Sequence, residues 1–297
     1  MIKVLPAELN IMITWIIQRD RVRAAKEAGE PKPWTDDPLL QDYRWCNVRR
    51  MDDRVSRELF ERWYDPASDR PTLLAAAVLA RLVNWPESLL TITEGQPFRL
   101  DHLQQAGPVL RARAARGEKV FTGAYLIPPG RPAIEGDQPP SKIQHVIGLA
   151  EVIAQHSYEV IAGSMRGTWA QIVRWDGMGS FLAGQVVADL VHLDPGHVWD
   201  DKATWAPIGP GSARWLNRLR GISKDKPVTQ ADFERLLPEL IEILRPRIDG
   251  VWRDRGLQAM DIQNCLCEFD KYRRLQLGEG KVRARYAGAG CTQGGLL

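Results

Sequence analysis

Apolar residues at helical spacing run through most of this chain, and that periodicity is what most constrains its fold. Leu9, Met12, Ile13 and Ile16 follow the i, i+3, i+4, i+7 spacing that lines one face of an α-helix. Gly29, followed by Pro31 and Pro33, predicts where that helix stops. Leu74, Ala77, Val78 and Leu82 repeat the stripe after Pro71, whose fixed φ suits a first helical turn. Ile143, Val146, Ile147, Ala150 and Ile153 form a third stripe. Thr229 to Asp232 reads as a variant capping box ahead of Leu236, Leu240 and Ile243. Ile262, Cys265, Leu266 and Phe269 mark a last strong helix. Extended patterns are scarce. The best is 120–127, which runs into a proline-rich stretch, 128–140, too stiff and polar for a core and expected to be a surface crossing or a lid. The tail past Gly278, rich in Gly, Lys and Arg, reads as irregular. The expected fold is mainly α with one minor extended segment.

Composition narrows the class. With 297 residues, 44% hydrophobic and 26% charged, the chain can bury a sizeable core in one large or two small domains. Disorder, collagen and coiled coil are excluded as descriptions of the whole. No apolar run approaches the roughly 18 residues that a membrane span needs. The stretch from Met1 to Pro6 does not read as a secretory signal. Four cysteines in a chain this long make no disulfide scaffold, so an intracellular, cytoplasmic setting is expected. A net charge of +3 permits a nucleic-acid partner without requiring one. Cys265-x-Cys267 has no second pair at zinc spacing, the five histidines form no ligand pattern, and the four-cysteine iron–sulfur run is missing. No cofactor and no metal ligand set is therefore expected, and a divalent metal is left open. The sequence also contains neither a Gly-x-x-x-x-Gly-Lys-Ser/Thr phosphate loop nor a Gly-x-Ser-x-Gly elbow.

The most informative local motif runs from Ile172 through Gly177-Met178-Gly179 to Val186. A helix leads into two closely spaced glycines and a second helix starts at once, the layout of a helix-hairpin-helix. Glycine permits the tight turn, and the free N–H groups that open the second helix can bind a phosphate. An ordinary helical hairpin with a glycine turn is the alternative. Gly209-Pro210-Gly211-Ser212 has similar character and enters a helix carrying Arg214, Arg218 and Arg220, which either hold phosphate or form a solvated basic face. Asp200 and Asp201 lie about twenty residues beyond the hairpin, where they either orient an amine or water or cap a helix.

Two further clusters carry chemistry. The first, from Pro33 to Arg54, interleaves Trp34, Trp45, Asn47, Arg49, Arg50, Asp52, Asp53 and Arg54. Aromatic rings can hold an extruded base while arginines hold phosphate oxygens; a buried ion network is the competing account. The second lies on the last helix, where Asp261, Asn264, Glu268, Lys271 and Tyr272 share the side opposite the apolar stripe. A carboxylate beside a lysine suits general acid/base work, and a solvated outer face is the alternative.

Six blocks in order then resemble one family: 33–38, 44–55, 121–125, 181–190, 209–213 and 266–272. They look like the bacteriophage thymidine-hypermodification proteins. That group includes the α-glutamyl/putrescinyl thymine pyrophosphorylase-like enzymes, the amino acid:DNA transferases, and the helical domain of 5-hydroxymethyluracil DNA kinases. The resemblance covers about residues 10 to 286. It implies a helix-hairpin-helix DNA glycosylase-like, two-lobed helical fold, with lobes at about 1–140 and 141–297 and the N-terminal helices able to pack on the second lobe. It implies double-stranded DNA carrying a modified thymine as partner, in the cytoplasm of an infected bacterium, with no membrane.

The implied reaction transfers an amino acid or polyamine onto a phosphorylated or pyrophosphorylated 5-hydroxymethyl group of uracil. A 5-hydroxymethyluracil DNA kinase is the implied supplier of that group. In this reading Asn47, Arg49 and Arg54 hold the base and its pyrophosphate, with Trp45, Asp53, Asn264, Lys271 and Tyr272 around them. Glu268, or one of Asp200, Asp201 and Asp261, accepts the amine's proton. Gly177, Gly179, Gly209, Gly211 and Arg214 grip the DNA backbone. Two other functions share these features: a DNA-binding partner or domain of such a kinase, and a base-excising glycosylase. Ser180 stands where a lyase would need lysine, which disfavours lyase chemistry.

Overall fold

Each apolar stripe of the sequence lies on a helix in the computed structural model. It describes residues 2–279 apart from 124, 126, 128–129, 131–139 and 194–198, and apart from the side chains of 254 and 255. In chain order the helices are α1 (Pro6–Glu27), α2 (Pro38–Asp42), α3 (Arg54–Arg62), α4 (Arg70–Val83), α5 (Pro86–Ile92) and α6 (Leu103–Ala115). Then come α7 (Lys142–Gln155), α8 (Ser157–Val160), α9 (Met165–Ile172), α10 (Ser180–Leu193), α11 (Pro210–Leu219), α12 (Gln230–Leu244), α13 (Asp249–Arg255) and α14 (Ala259–Gln276). The protein is mainly helical, with no strand among the described residues. No helix among them is long and apolar enough to cross a membrane.

Local chemistry sets the helix ends. Proline occupies the first turn of α1, α2, α4, α5 and α11, where its missing N–H goes unused. Asp37 caps α2 by accepting from the N–H groups of Leu39 (2.8 Å) and Leu40 (3.1 Å). Half of the expected Thr229 box forms: Thr229 Oγ1 accepts from Asp232 N at 3.1 Å, but the Asp232 carboxylate turns to the Thr229 hydroxyl, accepting from it at 2.8 Å, rather than to the backbone N–H. The 120–127 segment differs from expectation. Its described residues form no strand; Thr122 N donates to Val83 O, on a helix, at 3.0 Å. Most of the proline-rich stretch and the tail past 279 lie outside the described residues.

Contacts divide the chain into two compact units, one of Met1–Asp52 with Ile208–Leu297, the other of Asp53–Pro207. The two lobes at about 1–140 and 141–297 that the resemblance implies differ from these units: the helices flanking the proline-rich stretch, α6 and α7, pack on each other inside one unit. In the first unit, α11 lies along α14, and α1 touches both. Its core is aromatic. Trp15 meets Trp45 edge-on with ring centroids 6.4 Å apart, Trp215 meets Phe269 at 4.4 Å, and Tyr272 stacks on Phe269 at 5.5 Å. Such pairs add about 0.5–1.5 kcal/mol each beyond their buried area. In the second unit α4 is buried on all sides from Thr72 to Val83, which is why its stripe reads apolar all round. It packs against α7 and α10.

Candidate functional site on the last helix

The first unit gathers most of the sequence-predicted site residues around one feature, the chain segment 45–52 lying along α14. Cys46 N donates to Glu268 Oε2 (3.2 Å), Asn264 Nδ2 donates to Asn47 O (3.4 Å), the Cys265 thiol faces Val48 O (3.8 Å), and Arg50 N donates to Asp261 Oδ1 (2.9 Å). As the segment ascends from 46 to 50, its partners on α14 descend from 268 to 261, so the two run antiparallel. Arg19, a buried residue of α1, locks the segment from the other side. Its guanidinium donates to Cys46 O (3.0 Å), to Trp45 O (3.0 Å) and to Asn47 Oδ1. Asn47 Nδ2 donates onward to Asp52 O at 2.7 Å. Arg49 is buried, donating to Gly256 O (3.1 Å) and Val251 O and pairing with Asp20.

Glu268 and Lys271 form the polar centre of this arrangement. The Glu268 side chain is 6% exposed and its Oε1 pairs with Lys271 Nζ, whose side chain is 44% exposed. Burial by itself lowers the Lys271 ammonium, but the Glu268 carboxylate outweighs it and holds the lysine above its ordinary value. A fixed cation therefore sits at the surface, tethered to a carboxylate whose other oxygen is occupied by a backbone N–H. Cys267, next in sequence, is pushed up by burial and stays a thiol at neutral pH.

The remaining candidates in this unit are committed to structure. Asp261 accepts from Gln258 N (2.9 Å) as well as Arg50 N, and burial raises its carboxyl above the usual range. Trp45 and Tyr272 are buried in the aromatic core; Trp45 Nε1 donates to Leu39 O (2.9 Å) and Tyr272 OH donates to Asp37 Oδ2 (2.5 Å). Burial and then that carboxylate push the Tyr272 phenol up. Arg214 donates twice to Asp270 Oδ2, at 3.0 and 2.7 Å. Gly209 and Gly211 let α11 approach α14 closely. A Cβ on Gly209 would meet Gln263 Nε2 at 3.0 Å, and one on Gly211 would meet Cys267 Cα at 3.0 Å.

The other candidates belong to the second unit. Asp200 is exposed in the 3₁₀ turn Asp200–Ala203, while Asp201 accepts from the N–H groups of Met165 and Arg166, both at 2.9 Å, and so caps α9. Asp53 is half-buried and precedes α3; Arg54 is exposed and pairs with Glu58 at 3.3 Å. Gly177 adopts φ +87, a left-handed turn residue, and a Cβ there would run into the His145 ring. A Cβ on Gly179 would meet open space. The α9–α10 pair is a helical hairpin turning on these two glycines.

Sequence reasoning does not reach one buried network of this unit. Arg81 on α4 pairs with Asp189 on α10 through two contacts of 2.5 Å, with side chains 3% and 1% exposed, and Tyr64 OH donates to Asp189 at 2.6 Å. The signal for it is a lone charge of each sign embedded in an otherwise apolar helix. Among the described residues no group of three or more His, Cys, Asp or Glu side chains could hold a metal ion.

The family profile described as 5-hmdU DNA kinase, helical domain, matches residues 7–282. A 5-hmdU DNA kinase of Bacillus phage SP10 is 28% identical over 205 residues, which are 63% of this chain and 32% of that protein. The chain thus spans about a third of the length of this curated relative. No solved structure matches.

Proposed function

This chain belongs to the family of 5-hmdU DNA kinase helical domains, and from that premise we propose that it acts in the modification of 5-hydroxymethyluracil within DNA. The observation that carries the reading is the match across residues 7–282. The geometry supplies a chemistry for it. Lys271, fixed as a cation by Glu268, suits the oxygens of a phosphate on the exocyclic methylene of the base. The base must leave the stack to reach it, at a cost of a few kcal/mol. In this reading the hairpin of α9 and α10 serves as the helix-hairpin-helix of a glycosylase-like fold, and the open space at Gly179 supports it by leaving room for a DNA phosphate at the start of α10. In phosphoryl transfer the hydroxymethyl oxygen attacks the γ-phosphorus of a nucleoside triphosphate, its proton passes to water, and the nucleoside diphosphate leaves with the electron pair of the bridging oxygen; a kinase partner or portion would hold that nucleotide, because no phosphate-loop motif runs through this sequence.

A second reading rests on Glu268 already holding an ammonium. A co-substrate amine, neutral when it arrives, would be oriented by the same carboxylate and pass to it the proton that its nitrogen sheds on attack. The amine nitrogen would attack the exocyclic methylene, and pyrophosphate would leave with the C–O electron pair. This is the amino acid:DNA transferase chemistry.

Nucleoside mass spectrometry separates the two. On 5-hydroxymethyluracil duplex with a nucleoside triphosphate and a kinase, the first reading expects the chain to raise the yield of phosphorylated nucleoside. On pyrophosphorylated duplex with a panel of amines, the second expects an amine-bearing nucleoside from this chain without a kinase. No product in either mixture, together with equal affinity for thymine and 5-hydroxymethyluracil duplexes, would end both.

A further inference from the structure

Within the first unit, away from Glu268, a basic groove opens where the N-terminal stretch, the α11–α12 connection and α12 come together. One basin of about 370 Å³ is lined by Ile2, Lys3, Arg220, Ile222, Arg235, Leu236 and Glu239. An adjoining basin of about 120 Å³ shares Arg220 and Arg235 and adds Lys226, Pro227 and Asp232. We infer that this groove is a second DNA contact, taking two successive phosphodiester groups of one strand. The inference rests on the DNA-modifying reading above and adds a location for the backbone.

Four cations face the groove against two acids, and the cations are available. Lys3, Arg220 and Lys226 make no ion pair among the described residues, and Arg235 reaches Asp232 only at 3.6 Å with its own side chain 61% exposed. The walls are held in place. Leu5 N donates to Leu219 O at 2.7 Å, Asn217 Nδ2 donates to Lys226 O at 2.7 Å, and Ile222 N donates to Asn217 O at 2.9 Å. A fixed backbone leaves only side-chain ordering to be met when arginine and lysine neutralise phosphate. The apolar floor of Ile2, Ile222 and Leu236 suits a deoxyribose. Two basins sharing their arginines fit consecutive phosphates of a polymer better than one isolated anion.

Helix α11 links the groove to the candidate site. Gly211, in its first turn, lies on Cys267, and Arg220 follows its last residue. Its 10 residues rise about 15 Å, the axial length of four to five base pairs. A duplex presenting a base at Glu268 has backbone to offer the groove at that interval.

The test is fluorescence anisotropy of a labelled duplex against salt, using the full chain, Arg220→Ala/Arg235→Ala, and Arg220→Lys/Arg235→Lys. Loss of two phosphate contacts lowers the slope of log K against log salt by about 1.8, so the fall in affinity between 50 and 200 mM salt shrinks about tenfold. The lysine variant, keeping both charges, is expected to retain most of the slope. An alanine variant with wild-type affinity and slope overturns the groove while leaving the functional reading intact. Variants that weaken inorganic pyrophosphate binding but not duplex binding likewise overturn it, in favour of a small-anion site. A wild-type chain that binds no duplex overturns the functional reading itself, and the groove with it.

Discussion

Gly211 packs its α-carbon against the backbone of Cys267, so closely that an added methyl would stand 3.0 Å from Cys267 Cα and 3.2 Å from its carbonyl oxygen. Backbone cannot swing aside as a side-chain tip can. Gly211→Ala therefore forces α11 off α14. Alanine favours helix by about 1 kcal/mol, but overpacking costs about 1–3 kcal/mol, and a net loss of up to 2 kcal/mol is expected in urea denaturation. A variant as stable as the wild type would remove close approach as the reason for this glycine.

Arg81 and Asp189 exchange two 2.5 Å contacts with almost no exposure. Burial by itself lowers the guanidinium, and the carboxylate more than reverses it. Arg81→Met strands a buried carboxylate and is expected to cost about 3–5 kcal/mol. The double variant Arg81→Met/Asp189→Leu should recover part of that, because two apolar side chains need no partner while the Tyr64 hydroxyl loses Asp189 as an acceptor. Urea unfolding of the three proteins measures the difference; equal losses in single and double variants would count against the pair as a coupled unit.

The His145 ring lies beneath the Gly177 turn, and burial lowers its value from 6.5 although Asp176 pulls the other way. A base depressed in the folded state contributes fully above its unfolded value and loses that contribution as pH falls through the folded one. The wild type is therefore expected to lose stability below about pH 6.5, and His145→Asn to lose less over the same window. Thermal midpoints at steps between pH 7.5 and 5 record it. An NMR titration of His145 above 6.5 would contradict the assignment.

Lys271→Met removes the one ammonium on Glu268 Oε1 and leaves a carboxylate that is 6% exposed. About 1–3 kcal/mol of destabilisation is expected. Glu268→Gln alone leaves a smaller defect, since Gln can still accept from Cys46 N. In the double variant the two losses should fall well short of adding, and strict additivity in a double-mutant cycle would show that the pair is not coupled.

The helices were legible because burial of one face imposes a spacing that survives in sequence: Leu9, Met12 and Ile16 on α1, and Ile262, Cys265, Leu266 and Phe269 on α14 are all buried. Caps such as Thr229 were legible for the same reason, being local. The partnership of the 45–52 segment with α14 was only half legible. Both clusters stand out by composition, but Cys46 N on Glu268 and Arg50 N on Asp261 are contacts across more than 200 positions, and no local pattern encodes their antiparallel order. The glycines at 209 and 211 show the opposite difficulty. A Gly-Pro-Gly turn looks the same whether it is kept for an approaching phosphate or for an approaching helix, and only the position of Cys267 identifies the second. Arg49, Trp45 and Tyr272 are residue types suited to recognition, and here their polar atoms are engaged by main-chain carbonyls and Asp37.

The aromatic nucleus joining Trp15 to Phe269 ties together two stretches separated by the whole second unit. During synthesis at 5–20 residues per second, α1 must wait roughly 10 to 50 seconds for α14 to emerge. Throughout that interval Trp15 lacks its partner Phe269, whereas residues 53–207 can already close on themselves. A ribosome stalled late in the message should therefore display a protease-resistant middle and a digestible beginning.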